Sequence, residues 1–330
     1  MRARLLNAFA AVYLVWGSTY LAIRFAVETL PPLLMAGARF VLSGAILLAW
    51  ARFREGAAPP SRTEWRTALI SGTLLLLGGN GGVAWAEQRV ASGLTALLIA
   101  TVPLFTAVLD RTFFGVRLSL GALAGIATGL LGVALLVGQS AHVDPLGAAV
   151  ILGAGLAWAV GSAYARVAPL PKAPFLSASM QMLCAAVLLA VAGAAMGETG
   201  RVHPAAISPG SLAAFAFLVV FGSVVAFTAY GWLLRSGAPS VVVSTYAYVN
   251  PGVAVLLGWL FAGEAVGGRE LAAGAVILAS VGMLVFARHA PQKAEPLPET
   301  IGPYLRDKEA KEQPLPPSAP RLVDLRRAAP

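Results

Sequence analysis

Apolar positions in this chain come in long, nearly unbroken runs. They do not alternate as in a half-buried strand, nor form the single stripe of a surface helix. Ten runs stand out: Leu5–Phe25, Leu33–Phe53, Trp65–Ala86, Ser92–Phe114, Leu118–Val137, Pro145–Val167, Pro174–Met196, Pro209–Leu234, Ala238–Phe261 and Arg269–Ala287. Each is near the roughly 20 residues that a helix needs to cross a hydrocarbon core. The pattern predicts an all-α integral membrane protein of ten transmembrane helices. Short connections join them, apart from the polar segment Arg54–Glu64. The first run follows Arg2 and Arg4, as a signal peptide would, but an h-region is only about 7–15 residues long. This run continues through Trp16, Tyr20 and Phe25, so it reads as a retained span.

One stretch interrupts the apolar pattern from within. Gly78-Gly79-Asn80-Gly81-Gly82 lies in the third run, a polar corner Glu87-Gln88-Arg89 comes next, and Thr101-Val102-Pro103 lies in the fourth. Glycine is a poor helix former because it gives up backbone entropy and packs no side chain. In lipid, non-helical backbone is tolerated only where protein or a water-filled cavity covers it. A glycine-broken helix facing the interior of the bundle is therefore expected here, with the stretch forming two walls of whatever the bundle encloses.

The runs also repeat. Gly17-Ser18-Thr19-Tyr20 in the first is echoed by Gly161-Ser162-Ala163-Tyr164 in the sixth, and a Pro-containing turn comes after each. Pro103 in the fourth run is matched by Pro251 in the ninth, and the end of the fifth, Gly132–Val137, by Gly282-Met283-Leu284-Val285 in the tenth. Residues 1–138 and 144–288 thus read as two weak repeats of five spans each. Five is odd, so the second copy would enter the membrane inverted, a recurring transporter design with a binding site near the bilayer midplane. Residues 289–330 are rich in Pro, Glu, Lys and Arg, with few aromatics, and are predicted to be a disordered cytoplasmic tail.

Charge changes the picture in one respect. Only 12% of residues are charged, against about 25% in a soluble domain. The net charge of +9 is not a nucleic-acid footprint, because the basic residues are distributed by loop. Arg2, Arg4, Arg52, Arg54, Arg62, Arg66, Arg111, Arg117, Arg166, Lys172, Arg235 and the tail fall on one side, and only Arg24, Arg89, Arg201 and Arg269 on the other. The positive-inside rule then places both termini in the cytoplasm, with the protein in a cytoplasmic (inner) membrane. Cys184 is the single cysteine, which excludes an internal disulfide, and His142, His203 and His289 lie in connections or the tail. No catalytic constellation, metal-ligand spacing or phosphate loop is present. The chain reads as a non-enzyme without cofactors. Its partners are the lipid bilayer and a small-molecule solute, with no nucleic acid and a homo-oligomer left open.

Polar and aromatic residues deep in the apolar runs are the candidate solute contacts: Trp16 and Tyr20 on one face of the first span, Asn80 and Trp85 in the third, Thr101 in the fourth, Trp158 in the sixth, Tyr230 in the eighth, and Tyr246, Tyr248 and Asn250 in the ninth. Aromatic walls with few charges suit small amphipathic solutes such as zwitterionic amino acids. Glu87 is a candidate cation or proton site, or else a helix-end carboxylate paired with Arg89. Arg39 lies about 9 Å into the second span. It could anchor a substrate carboxylate, or snorkel and bond to carbonyls of a neighbouring helix. Pro103 and Pro251 each remove a helical hydrogen bond and favour kinks, either as hinges or as static bends.

Trp16-Gly17-Ser18-Thr19-Tyr20, Pro31-Pro32, Ala38-Arg39-Phe40, the Trp85-Ala86-Glu87 corner, Pro103 and Gly263-Glu264 together resemble the EamA-type transporters of the drug/metabolite transporter superfamily, in particular their YedA-like bacterial members. The resemblance covers about residues 5–288. It implies two inverted five-helix halves, with helices one, three, four, six, eight and nine lining a central cavity, a peripheral second helix, and export of amino acids or other small metabolites. Where Gly-Glu comes after the ninth span, the first half has Gly115-Val116, a departure from the pattern. The expected function is a secondary transporter and exporter working by alternating access. The alternative is a membrane sensor or scaffold that moves no solute.

Overall fold

The computed structural model describes residues 2–54, 56–114, 118–139, 144–235, 246–265 and 267–287, and these form helices and the turns between them, with no strand. In chain order the helices are α1 (Leu5–Ala26), α2 (Pro32–Phe53), α3 (Arg62–Ala86), α4 (Ser92–Phe113), α5 (Leu120–Gln139), α6 (Pro145–Val167), α7 (Pro174–Ala195), α8 (209–235), α9 (Tyr246–Ala262) and α10 (Gly268–Ala287). Among the described residues, seven helices, α1–α4 and α6–α8, are long and apolar enough to cross a membrane. In α5 and α9 the apolar stretches Leu120–Leu136 and Val249–Ala262 are shorter. The start of the ninth run, the Gly115-Val116 pair and the tail from residue 288 lie outside the described residues.

The closest packing is between α2 and α7 and between α5 and α10. Other principal contacts come in matched pairs: α3 on α6 with α8 on α1, α4 on α6 with α9 on α1, and α3 on α7 with α8 on α2; α4 also packs on α9. Neighbour relations are thus kept when each helix is exchanged for the one five places away. Phe40, Leu47, Leu76, Met182 and Leu189 fill the core between α2, α3 and α7, and Leu94, Leu98, Leu136 and Ile277 that between α4, α5 and α10.

The glycine-rich stretch does not break its helix. From Thr73 to Gly81 the backbone of α3 winds as a π-helix and then returns to α geometry at Gly82. Its glycines serve close packing instead. A Cβ on Gly78 would stand 2.9 Å from Cβ of Ala157, one on Gly79 3.0 Å from the Trp158 ring, and one on Gly81 2.8 Å from Leu189. The expected loss of helix was a propensity argument, and tertiary packing overrides a penalty of about 1 kcal/mol per glycine. Two further π segments occur, at Ala11–Val15 in α1 and Leu218–Val225 in α8.

Gly72 shows the same dependence most sharply, since its Cβ would reach 2.6 Å from the carbonyl oxygen of Gln181 on α7, and backbone cannot yield as a side-chain tip can. Gly72→Ala is expected to destabilise the protein by about 1–3 kcal/mol, the range for overpacking. Gly153→Ala is the control, because its Cβ would meet nothing within 4 Å. Thermal unfolding in detergent should show a lower midpoint for the first variant only.

Two helix N-termini are capped from far along the chain. α2 begins at Pro32, and the amides of Leu33 and Leu34 donate to the carboxylate of Glu198, at 3.0 and 2.9 Å to Oε2. α4 begins at Ser92, whose amide donates to Glu264 Oε1 at 2.8 Å while that of Gly93 donates to Oε2 at 3.1 Å. Each glutamate comes directly after a glycine in the left-handed region, Gly197 at φ 74° and Gly263 at φ 62°. That turn is open to glycine at no steric cost, and it swings the carboxylate out of its own helix towards a neighbour's amides.

Candidate solute-binding cavity

A cavity of about 110 Å³ lies inside the bundle, walled by α1, α3, α4, α6, α8 and α9, with one side chain from α2. Of the candidates read from the sequence, Trp16, Tyr20, Asn80, Trp158, Tyr246 and Asn250 line it, together with Arg39, Pro103 and Pro251. Trp16 is its centre: the ring packs edge-on against Trp158 at 6.3 Å, Phe227 at 5.7 Å and Tyr246 at 5.5 Å, and its Nε1 donates to the Gly222 carbonyl at 3.4 Å. Such edge-to-face contacts fix ring orientation as well as burying area. One wall comes from a π segment, Gly79 and Asn80 in α3, and the π segment of α8 places the Gly222 carbonyl against Trp16. The wider π turn is common at functional sites.

The polar groups divide into engaged and free. Asn250, oriented so that its amide nitrogen faces two carbonyls, donates to Tyr13 O at 3.1 Å and Tyr246 O at 3.2 Å, tying α9 to α1 beside Pro251. Thr19 donates to the Trp16 carbonyl at 2.6 Å. The side-chain polar groups of Asn80, Trp158 and Tyr20 have no hydrogen-bond partner among the described residues, so they are available to a guest. Arg39 is 4% exposed, and its Nε donates to Ser223 Oγ at 2.8 Å.

The remaining candidates stand elsewhere. Thr101 is buried and donates to its own helix, at the Leu98 carbonyl. Tyr230 sits behind the wall, its ring 5.0 Å from Trp16 and 5.9 Å from Tyr246. Trp85 lies under the Arg89 guanidinium in a separate shallow depression with Gln88 and Arg201. The side chain of Tyr248 lies outside the described ones. Glu87 is fully buried in the α3–α4 turn, and neither carboxyl oxygen has a hydrogen-bond partner. Arg89 does not pair with it, being 3.7 Å from Asp144. Arg24 donates instead to the Glu87 backbone carbonyl at 3.0 Å. Sequence reasoning missed Phe227, Thr19 and Ile23 as wall residues. The second and third share a face with Trp16, a helical spacing that could have found them.

Long apolar helices packed around an apolar, partly aromatic cavity make the architecture of a helical membrane transporter. The sequence profile of the EamA-like transporter family matches residues 5–138 and again residues 145–286, and the chain belongs to that family. It is 40% identical over 310 residues to the uncharacterized inner membrane transporter YedA of Escherichia coli K12, covering 92% of this chain and 96% of that protein. It is 25% identical over 296 residues to the uncharacterized transporter YvbV of Bacillus subtilis, covering 89% and 94%. A crystal structure at 21% identity shares the fold, with a TM-score of 0.59 over 87% of this chain and 99% of the other.

Proposed function

We propose that the protein is a secondary transporter, and an exporter, of small organic metabolites such as amino acids. It would sit in the cytoplasmic membrane with both termini inside. Residues 1–138 and 144–288 would form two inverted five-helix halves that rock about the cavity, exposing it to each side in turn. The observation that carries this reading is the cavity itself. It is lined by helices drawn from both halves, its wall is apolar and in part aromatic, and Asn80, Tyr20 and Trp158 keep unused polar groups in it. Pro103 and Pro251 line the same space, where a missing backbone hydrogen bond lets each helix bend. With no nucleotide-binding motif in the sequence, a solute or ion gradient would drive the flux.

The test is solute counterflow by the full-length protein in liposomes, with solutes chosen by comparing medium and cytoplasm of overexpressing and control cells. Wild type should exchange those solutes, and Trp158→Ala should cut the rate at least ~tenfold, the scale for truncating an aromatic anchor worth about 1.4 kcal/mol or more. A sensor or scaffold would show no exchange of any solute that overexpression moves.

A further inference from the structure

Among the residues lining the cavity, Arg39 is the charged one, and none is an aspartate or glutamate. Its Nε is taken by Ser223 of α8, itself fully buried. Nη1 and Nη2 have no hydrogen-bond or ion-pair partner among the described residues. Buried charges in proteins are ordinarily paired, since desolvation is costly otherwise. No carboxylate among the described residues forms an ion pair with it: Glu198 and Glu264 cap helix N-termini, Asp144 holds Gly147 and Arg89, and Glu87 stays in the α3–α4 turn, outside the residues that line the cavity. The counter-charge is therefore expected from the guest. With Nε tied, the planar edge formed by Nη1 and Nη2 remains, and this edge suits a carboxylate bidentately.

The rest of the wall agrees. Nearby free groups include the Asn80 amide, the Trp158 indole N–H and the Tyr20 hydroxyl, all able to donate to an anion. The remaining surface is aromatic and aliphatic, including Trp16, Phe227, Ile99 and Val102. A guest's ammonium group would meet no carboxylate here. A volume of about 110 Å³ holds roughly eight waters at the ~10–15 Å³ each requires, hence a solute of about ten non-hydrogen atoms.

We propose that this cavity selects monocarboxylate anions with a compact apolar or aromatic body, bound through the free edge of Arg39, over zwitterions and cations of the same body. The inference rests on the transporter reading for its cargo, but binding can be measured without transport. Purified full-length protein would be unfolded thermally in the presence of phenylpyruvate, phenylalanine or phenylalaninamide, which share a ring and differ in charge. The same three would then be compared in liposome counterflow.

Phenylpyruvate should raise the unfolding temperature of wild type, phenylalanine less and phenylalaninamide not at all. Apparent affinities should fall at least ~tenfold from the anion to the cation, a preference of about 1.4 kcal/mol or more. Arg39→Gln should abolish the ranking, and Arg39→Lys should keep part of it. Ser223→Ala, which cuts the tether but leaves the charge, should keep the preference for the anion. The proposal is overturned if phenylpyruvate does not stabilise wild type, if phenylalanine or phenylalaninamide binds better, or if Arg39→Gln keeps the ranking. Ranked binding without flux would leave the carboxylate site standing and sink the transporter reading instead.

Discussion

Replacing Glu198 with alanine should destabilise the protein by roughly 3 kcal/mol, and Glu264→Ala by about 2 kcal/mol. The figures come from the role of each carboxylate. Glu198 is 1% exposed and both of its oxygens take the amide of Leu33, one of them also that of Leu34. Its removal orphans buried donors at about 1–3 kcal/mol each and withdraws a negative charge from a helix N-terminus, worth up to ~2 kcal/mol when partly buried. Glu264 does the same for Ser92 and Gly93 from a less buried position, so water repairs part of its loss. Glutamine at either site keeps an acceptor oxygen and should recover about half the loss. Unfolding midpoints of the four variants in detergent, at matched pH and salt, measure the effect. Midpoints equal to wild type would mean that the amides find other acceptors and that the two carboxylates do not fasten these helices.

Glu87→Gln should stabilise the protein, and more so as pH rises. Burial pushes the Glu87 carboxyl well above the ordinary carboxylate range, the neighbouring Glu264 charge adds to this, and Arg24 opposes it. The folded state therefore keeps a proton that the unfolded chain releases above pH ~4.3. With more protons bound when folded, stability is fullest below that pH. It then falls by about 1.4 kcal/mol per pH unit until Glu87 itself ionises. Glutamine is uncharged at every pH and carries no such dependence. The gap between variant and wild type should widen from about pH 5 upward, until Glu87 itself ionises, in unfolding curves. Parallel curves would show that Glu87 is already ionised at the bottom of that range, with a partner or water supplying the hydrogen bonds that the two bare oxygens lack.

Part of the cavity is legible directly in the chain. Trp16, Asn80, Trp158, Tyr246 and Asn250 stand out because polar and aromatic groups at mid-helix depth in an apolar run are exceptions to the run. The same signal marks Thr101 and Tyr230, yet Thr101 bonds to its own helix and Tyr230 packs behind Trp16. Depth along a helix comes from counting residues, but direction around it does not once the winding changes. Each π segment shifts the rotational register of the residues beyond it, and three lie in α1, α3 and α8, which supply much of the wall. Within α8, Phe227 faces the cavity while Tyr230, three residues on, packs against Trp16 outside it. The GGNGG stretch reads correctly as interior but not as a broken helix, because propensity is local and the partners that need those glycines are on α6 and α7.

The sequence by itself determined the class: apolar runs long enough to cross a bilayer, arranged in two related halves with a polar element in the third run. That is possible because hydropathy is a property of residues taken a few at a time, and the bilayer imposes one length on all of them. Only the tertiary structure decided the chemistry of the interior. Arg39 meets Ser223 184 positions away, and Glu198 and Glu264 reach helix starts 165 and 172 positions away. Which side chain is paired, which is free and which faces the cavity depends on how whole helices are rotated and packed. No local pattern encodes that, and it is this packing that brings an arginine from an apolar run to the cavity wall with Nη1 and Nη2 unbonded.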